Sequence, residues 1–550
     1  MSFTTLEQPQ ETGAPVHNPP VVCSAVAASP LQSAETGDRS PIPHHVAKQL
    51  IGGTGALGLG VFIERGTGFL ANILAARLGG APTFGAYSLA ITTANTISTY
   101  AAGGIGATAA RFSGKYPHGT SGYSTLAKSL TIVSAVSATL AAVGLWFGAA
   151  PIAHLLAKPA LTGLLRWAAI SAAGIIVLEC ARGFFVGQRR LIALLLLSFI
   201  VGAGMVVLIP LAAHAHSPIR MIVSQGTIPL VAVAACLLLA RPLGLFGPQI
   251  AATSQPLGPV LREVWSFGFV QLVGLIGSNL AGWWLITLVA RADTTLVQMS
   301  FFAIASQLRN LVGIAPGLLT EGSYAIMADP SGETTRTPHR VLAFCSYASQ
   351  SVALLLASLG IVFVPWGLAL LYGHTYDAAG VATAVALAIA VVHMGNAPAA
   401  ARLTIVSIRA SGVINTIWAI FVAAAASVFL FHGGSAARAM AIYFAGHVLS
   451  ALLVLLTLRS KDHVPSGMIA VSAIGTFTSA SLAALAFVRS SHPHLTVPLT
   501  AAMLAIVAAA FAALTYFGKR YGWLPPLATF KNLLQTIVNK LRNVRRLKHV

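Results

Sequence analysis

Residues 64–112 read ERGTGFLANILAARLGGAPTFGAYSLAITTANTISTYAAGGIGATAARF. Across this stretch the only charged side chains are Glu64, Arg65, Arg77 and Arg111. Two long apolar runs flank the segment Arg77-Leu78-Gly79-Gly80-Ala81-Pro82, whose glycines and proline punctuate the chain. With the apolar residues just before Glu64, each run reaches the ~20 residues that carry a helix across a ~30 Å hydrocarbon core. The stretch therefore reads as two membrane helices joined by a tight turn, with Glu64 and Arg65 set inside the first.

The rest of the chain follows the same pattern. Of 550 residues 56% are hydrophobic and 8% charged, with a mean hydropathy of +0.79. Soluble domains carry about 25% charge, so lipid must solvate most of this surface. Apolar segments fall at 54–76, 84–110, 123–149, 160–182, 191–213, 219–240, 264–290, 295–326, 341–371, 378–400, 411–431, 437–458, 466–488 and 496–517. The expected fold is an all-α polytopic membrane protein of about fourteen transmembrane helices. The division between 378–400 and 411–431 is the weakest of these boundaries.

Lys and Arg total 33 against 13 Asp and Glu, a net charge of +20. With fourteen spans and a cytoplasmic N-terminus, twenty-four of the 33 cations fall on the cytoplasmic side and seven opposite. This asymmetry obeys the positive-inside rule and puts both termini in the cytoplasm. Residues 1–49 read as a disordered tail and carry no secretory signal. At 521–550, Phe530, Leu533, Leu534, Ile537, Val538, Leu541 and Val544 share one helical face among unbalanced cations. That pattern predicts an amphipathic helix on anionic membrane lipid, in preference to a nucleic-acid partner.

An internal echo organises the middle. LAARLGGAPTFGAYSLAI (74–91) and LVARADTTLVQMSFFAI (288–304) each place Ala-Arg at a helix exit, followed by a Ser-apolar-Ala run. They lie between helices one and two and between helices seven and eight. The expectation is two six-helix lobes in a 6+6 parallel repeat, an N-lobe at 50–240 and a C-lobe at 264–460. A linker at 241–263 would join them, and two extra helices would occupy 461–520.

Catalytic signatures are absent. The sequence has no phosphate-binding Gly-Lys loop, no His-Glu-x-x-His and no Cys-x-x-Cys, so no enzyme and no resident cofactor or metal is expected. Cys23, Cys180, Cys236 and Cys345 read as structural or incidental.

Charge at mid-membrane depth stands out instead. Arg65 in the first helix and Arg309 in the eighth lie too deep to snorkel, and such groups must pair or face water. Both are candidates for an anion site in an aqueous cavity, the alternative being a buried pair with Glu64. Glu64 itself is the one mid-membrane acid that could couple to H+ or Na+. Gly68 and Asn72 share the face of Arg65, while Asn95 and Asn279 are further intramembrane amides that either bind ligand or bridge helices. Pro316 is a candidate hinge. Glu179 and Arg182 read as an i,i+3 pair, Arg77 and Arg166 as snorkelling interfacial groups, and His393 and His447 as packing histidines.

The first two helices resemble the opening of Wzx-type polysaccharide flippases, in the MATE-like MOP transporter superfamily. The elements that carry the likeness are Ala76-Arg77-Leu78-Gly79, Phe84-Gly85-Ala86-Tyr87-Ser88 and Ala110-Arg111-Phe112. Pro82 stands one position from its usual place, and Tyr372-Gly373-x-x-Tyr376 is similar to the family's turn between helices nine and ten. The resemblance implies a bacterial inner-membrane flippase for polyprenyl-pyrophosphate-linked oligosaccharide repeat units, in exopolysaccharide or O-antigen export. It also implies two lobes rocking around a cavity lined with cations, which suits Arg65 and Arg309, and suggests polysaccharide polymerase or export proteins as partners. A lipid II flippase, a MATE-type drug antiporter and a non-transporting scaffold remain as alternatives.

Overall fold

The computed structural model describes residues 44–116, 122–240, 256–328, 336–431, 433–461, 464 and 466–523. Most of the expected N-terminal tail, most of the 241–263 linker and the amphipathic C-terminal segment lie outside them. Among the described residues the regular structure is entirely helical.

The first helix, α1 (His44–Ala102), is two expected spans in one. Gly80 breaks it with φ 74, and Pro82 follows in the first turn of the second arm, where its missing N–H costs no hydrogen bond. A second break at Gly103 and Gly104, both at positive φ, separates α2 (Ile105–Lys115) from that arm. The N-terminal half is completed by α3 (Tyr123–Leu155), α4 (Thr162–Gly187), α5 (Leu191–His214) and α6 (Pro218–Ala240).

The C-terminal half contains α7 (Leu257–Ala292), α8 (Val297–Val312), α9 (Ile314–Ala328), α10 (Arg336–Tyr372), α11 (Gly380–Val406), α12 (Ile408–Leu430) and α13 (Ala436–Lys461). The final hairpin is α14 (Ser466–Ser491) and α15 (Thr496–Arg520). All fourteen expected segments are thus helical, and helix extends beyond them at the chain's start, where α1 reaches back to His44. Among the described residues ten helices are long and apolar enough to cross a membrane, or eleven with α8 and α9 counted as one bent span. The two arms of α1 and α7 occupy the other expected crossings. Only Ser407 separates α11 from α12, and its hydroxyl caps α12 by accepting from the Ala410 N–H.

The eighth span is not straight. It bends by 49° between α8 and α9 at Gly313. Pro316, in the first turn of α9, cannot donate to Val312, so the bend falls where proline removes a helical hydrogen bond. At the other end, the Asp293 carboxylate accepts from the backbone N–H groups of Thr295, Gln298 and Met299, anchoring the start of α8.

We call the side where α1 begins the near side and the opposite one the far side. On the far side the internal echo becomes geometry. Arg77, at the end of the first span, donates to the Leu370 carbonyl at the end of α10, at 3.2 Å. Arg291, at the end of α7, donates to the Leu155 carbonyl at the end of α3, at 3.0 Å. Each arginine closes the first helix of one half onto the third helix of the other. Arg77 is therefore not merely snorkelling. Beside these bonds the Tyr376 hydroxyl donates to the Ala76 carbonyl at 3.0 Å, and Gly85 presses against the backbone carbonyl of Leu296. Near-side contacts also join the halves, through the Lys115–Glu263 ion pair at 2.6 Å and Arg111 over the Phe267 ring at 4.4 Å.

The last hairpin docks on α10 and α11. Pro365 leaves the Ile361 carbonyl without its helical partner, and buried Arg489 of α14 donates to it at 3.1 Å and to Val362 at 2.9 Å. Arg489→Ala should orphan that carbonyl and loosen the hairpin, at a cost of about 1–3 kcal/mol. A lower melting temperature with faster proteolysis between α13 and α14 is the expected result; an unchanged melt would show the staple to be idle.

Candidate functional site

The two halves enclose a cavity of about 760 Å³. Its walls come from α1, α5, α6, α7, α8, α11 and α13, with the α8–α9 bend closing one side. Arg65 and Arg309 both line it, one from each half. The helical periodicity that set Arg65, Gly68 and Asn72 on one face is the reason all three reach the same space. Asn95 lines it from the second arm of α1. Asn279 does not: it is half-buried on α7, away from the cavity.

Glu64 lines the cavity as well, but its carboxylate is ion-paired with Arg182 of α4. Arg182 also holds Glu179 at 2.6 Å, as its i,i+3 spacing anticipates. Glu64 thus takes a partner from α4, neither Arg65 nor Arg309. Removing one of two carboxylates around a half-buried guanidinium should destabilise by about 1–3 kcal/mol. Glu64→Gln is expected to lower the melting temperature, and adding Glu179→Gln should lower it further, because Arg182 then stands without either carboxylate. An unchanged melt in both would show that the pairing is not what Glu64 supplies.

Several lining groups were given no place in the site from sequence. The Tyr87 hydroxyl donates to Gln225 Oε1 at 2.9 Å, tying the second arm of α1 to α6 at the cavity wall. Ser88 and Thr92 follow on the same face, so the Phe84–Ser88 element supplies both the far-side contact of Gly85 and part of the lining. Gln307 and Asn310 flank Arg309, whose guanidinium lies 5.6 Å from the ring centroid of Tyr443. His393 and Met394 complete the α11 wall. Gln307 could have been found from its position two residues before Arg309; the others required knowing which helices face one another.

The cavity offers cationic and amide groups. Two guanidinium groups offer forked donors suited to phosphate. The amide oxygens Asn72 Oδ1 and Gln307 Oε1 are buried without a hydrogen-bond partner. A buried acceptor left bare is costly. Among the described residues no group of three or more His, Cys, Asp or Glu side chains could hold a metal ion.

Comparison with known proteins agrees with this architecture. Residues 50–320 match the model of the family described as polysaccharide biosynthesis protein. No curated protein matches the sequence. Among solved structures, the lipid II flippase MurJ in an inward closed conformation aligns with a TM-score of 0.60 at 12% identity, covering 84% of this chain and 98% of that one. An inward-facing multidrug resistance MATE family transporter of the MOP superfamily aligns at 0.55 with 14% identity, covering 76% and 98%. The eukaryotic MATE transporter AtDTX14 aligns at 0.53 with 12% identity, covering 79% and 99%. The chain is therefore a multi-pass membrane protein that shares the fold of the MurJ and MATE transporter structures, and its residues 50–320 match the polysaccharide biosynthesis protein family model.

Proposed function

We propose that this protein flips polyprenyl-pyrophosphate-linked oligosaccharide repeat units across the bacterial inner membrane by alternating access, for exopolysaccharide or O-antigen export. The observation that carries the proposal is the cavity itself, where one arginine from each half meets amide acceptors that lack partners. A pyrophosphate leaving water needs charge-assisted donors, which Arg65 and Arg309 provide. A volume of about 760 Å³ falls in the ~300–1,000 Å³ range of small-molecule sites, enough for a headgroup while the lipid tail stays in the bilayer.

In this scheme the near side is cytoplasmic, by the excess of positive charge there, and both termini lie in the cytoplasm. The lobes at 50–240 and 264–460 rock about the cavity, with the Pro316 bend as a hinge. The basic 521–550 segment would rest on anionic lipid, and polymerase or export proteins would receive the product. Transport without an enzymatic step suits a site built of cations and amides.

The test is the sidedness of lipid-linked oligosaccharide in cells depleted of the protein. Accumulation facing the cytoplasm, cleared on re-expression, is the expected outcome. Unchanged sidedness would refute a flippase of this substrate. The likeness in fold to MurJ makes lipid II the second candidate, and complementation of a strain lacking its own lipid II flippase would favour it instead.

A further inference from the structure

The helices α11 and α13 bring His393 and His447 face to face, with ring centroids 4.8 Å apart and planes 28° from parallel. His393 is exposed to the cavity, and His447 stands half-buried behind it. Trp418 of α12 and Tyr443 of α13 pack against His447 at 5.6 and 5.7 Å. From α8, Arg309 lies over Tyr443, so one fixed cation already stands at this wall. Arg309 and Tyr443 are the ionisable neighbours of the pair, while α12 adds only the neutral Trp418. On α1, Arg65 and Glu64 line the same cavity, Glu64 being tied to Arg182.

We propose that the His393–His447 pair is a proton-binding site linked to the headgroup: an anion on Arg309 draws one proton onto the pair, and its departure releases that proton. This rests on the reading of the cavity as a pyrophosphate site. The reason is electrostatic. A second positive charge beside a guanidinium in a medium of low dielectric is repelled, whereas a dianion between them reverses the sign of that interaction. Rings stacked at 4.8 Å hold one such charge between them, since two would repel across the stack. The proton comes from water on the side where the headgroup binds and returns to water where it leaves. The loaded cavity then crosses with one negative charge fewer than the headgroup alone carries.

The measurement is titration calorimetry on the full chain in nanodiscs, in buffers of differing ionisation heat from pH 6 to 8. The probe is a farnesyl pyrophosphate diester of N-acetylglucosamine, whose phosphates have no proton to exchange in that range. Wild type should take up close to one proton per probe bound at the lower end, with affinity falling by up to about tenfold per pH unit as the pH rises. His393→Gln and His447→Gln should bind more weakly, with uptake near zero and a flat pH profile. A variant that merely unpacked the wall would weaken binding equally at every pH. Wild-type binding without proton exchange, or uptake retained in both variants, overturns the proposal; the latter would move the proton to another group such as Glu64. Failure of wild type to bind the probe at all would remove the pyrophosphate reading itself, and this proposal with it.

Discussion

Replacing Arg65 and Arg309 together by alanine is expected to slow headgroup translocation by roughly 10²- to 10⁴-fold. Each guanidinium makes charge-assisted contacts of about 1.5–3 kcal/mol to an anion, and the two line one cavity from opposite halves. Single variants should lose less than the double. Arg309→Lys should recover only part of the activity, because a point charge replaces a planar fork. The readout is protection of fluorescent lipid-linked oligosaccharide from an external lectin in proteoliposomes. A double variant that translocates at the wild-type rate removes both arginines from the mechanism and favours a scaffold.

The second large effect is expected at Gly85. A Cβ there would overlap the Leu296 carbonyl, a backbone atom held in place by the Asp293 cap and the left-handed turn at Leu296. Gly85→Val should therefore prevent the far side from closing. Overpacking costs of about 1–3 kcal/mol correspond to a roughly 5- to 150-fold shift between states. With the four native cysteines replaced and Ser306, which lines the cavity, changed to Cys as reporter, labelling by an impermeant thiol reagent from the far side should rise. Loss of Arg77 and Arg291 together should act in the same direction without adding bulk. Labelling that stays at the wild-type level in both would place the gate elsewhere.

What the sequence disclosed and what it withheld divide along a physical line. Arg65 and Arg309 were legible because depth in an apolar run is a local property, and Gly68 and Asn72 followed from one helix's own periodicity. The partner of Glu64 was not legible, since Arg182 sits three helices away and only packing brings them together. His393 and His447 each read as a lone packing histidine; their stacking depends on how α11 and α13 are rotated about their axes. Asn279 resembles Asn95 in depth, yet Asn95 lines the cavity and Asn279 does not. The echo around Arg77 and Arg291 was visible as text, whereas its meaning as a pair of crossed hydrogen bonds was not.

That crossing has a consequence for origin. One half gives the arginine and takes the carbonyl, and the other half does the same in return. This is the form of an isologous contact, in which one surface patch is complementary to its own copy. Two identical six-helix chains meeting about a two-fold axis would make both bonds from a single arginine and a single carbonyl. Fusion of such a homodimer into one chain would inherit the closed gate ready-made, leaving each half free to diverge toward its own wall of the cavity.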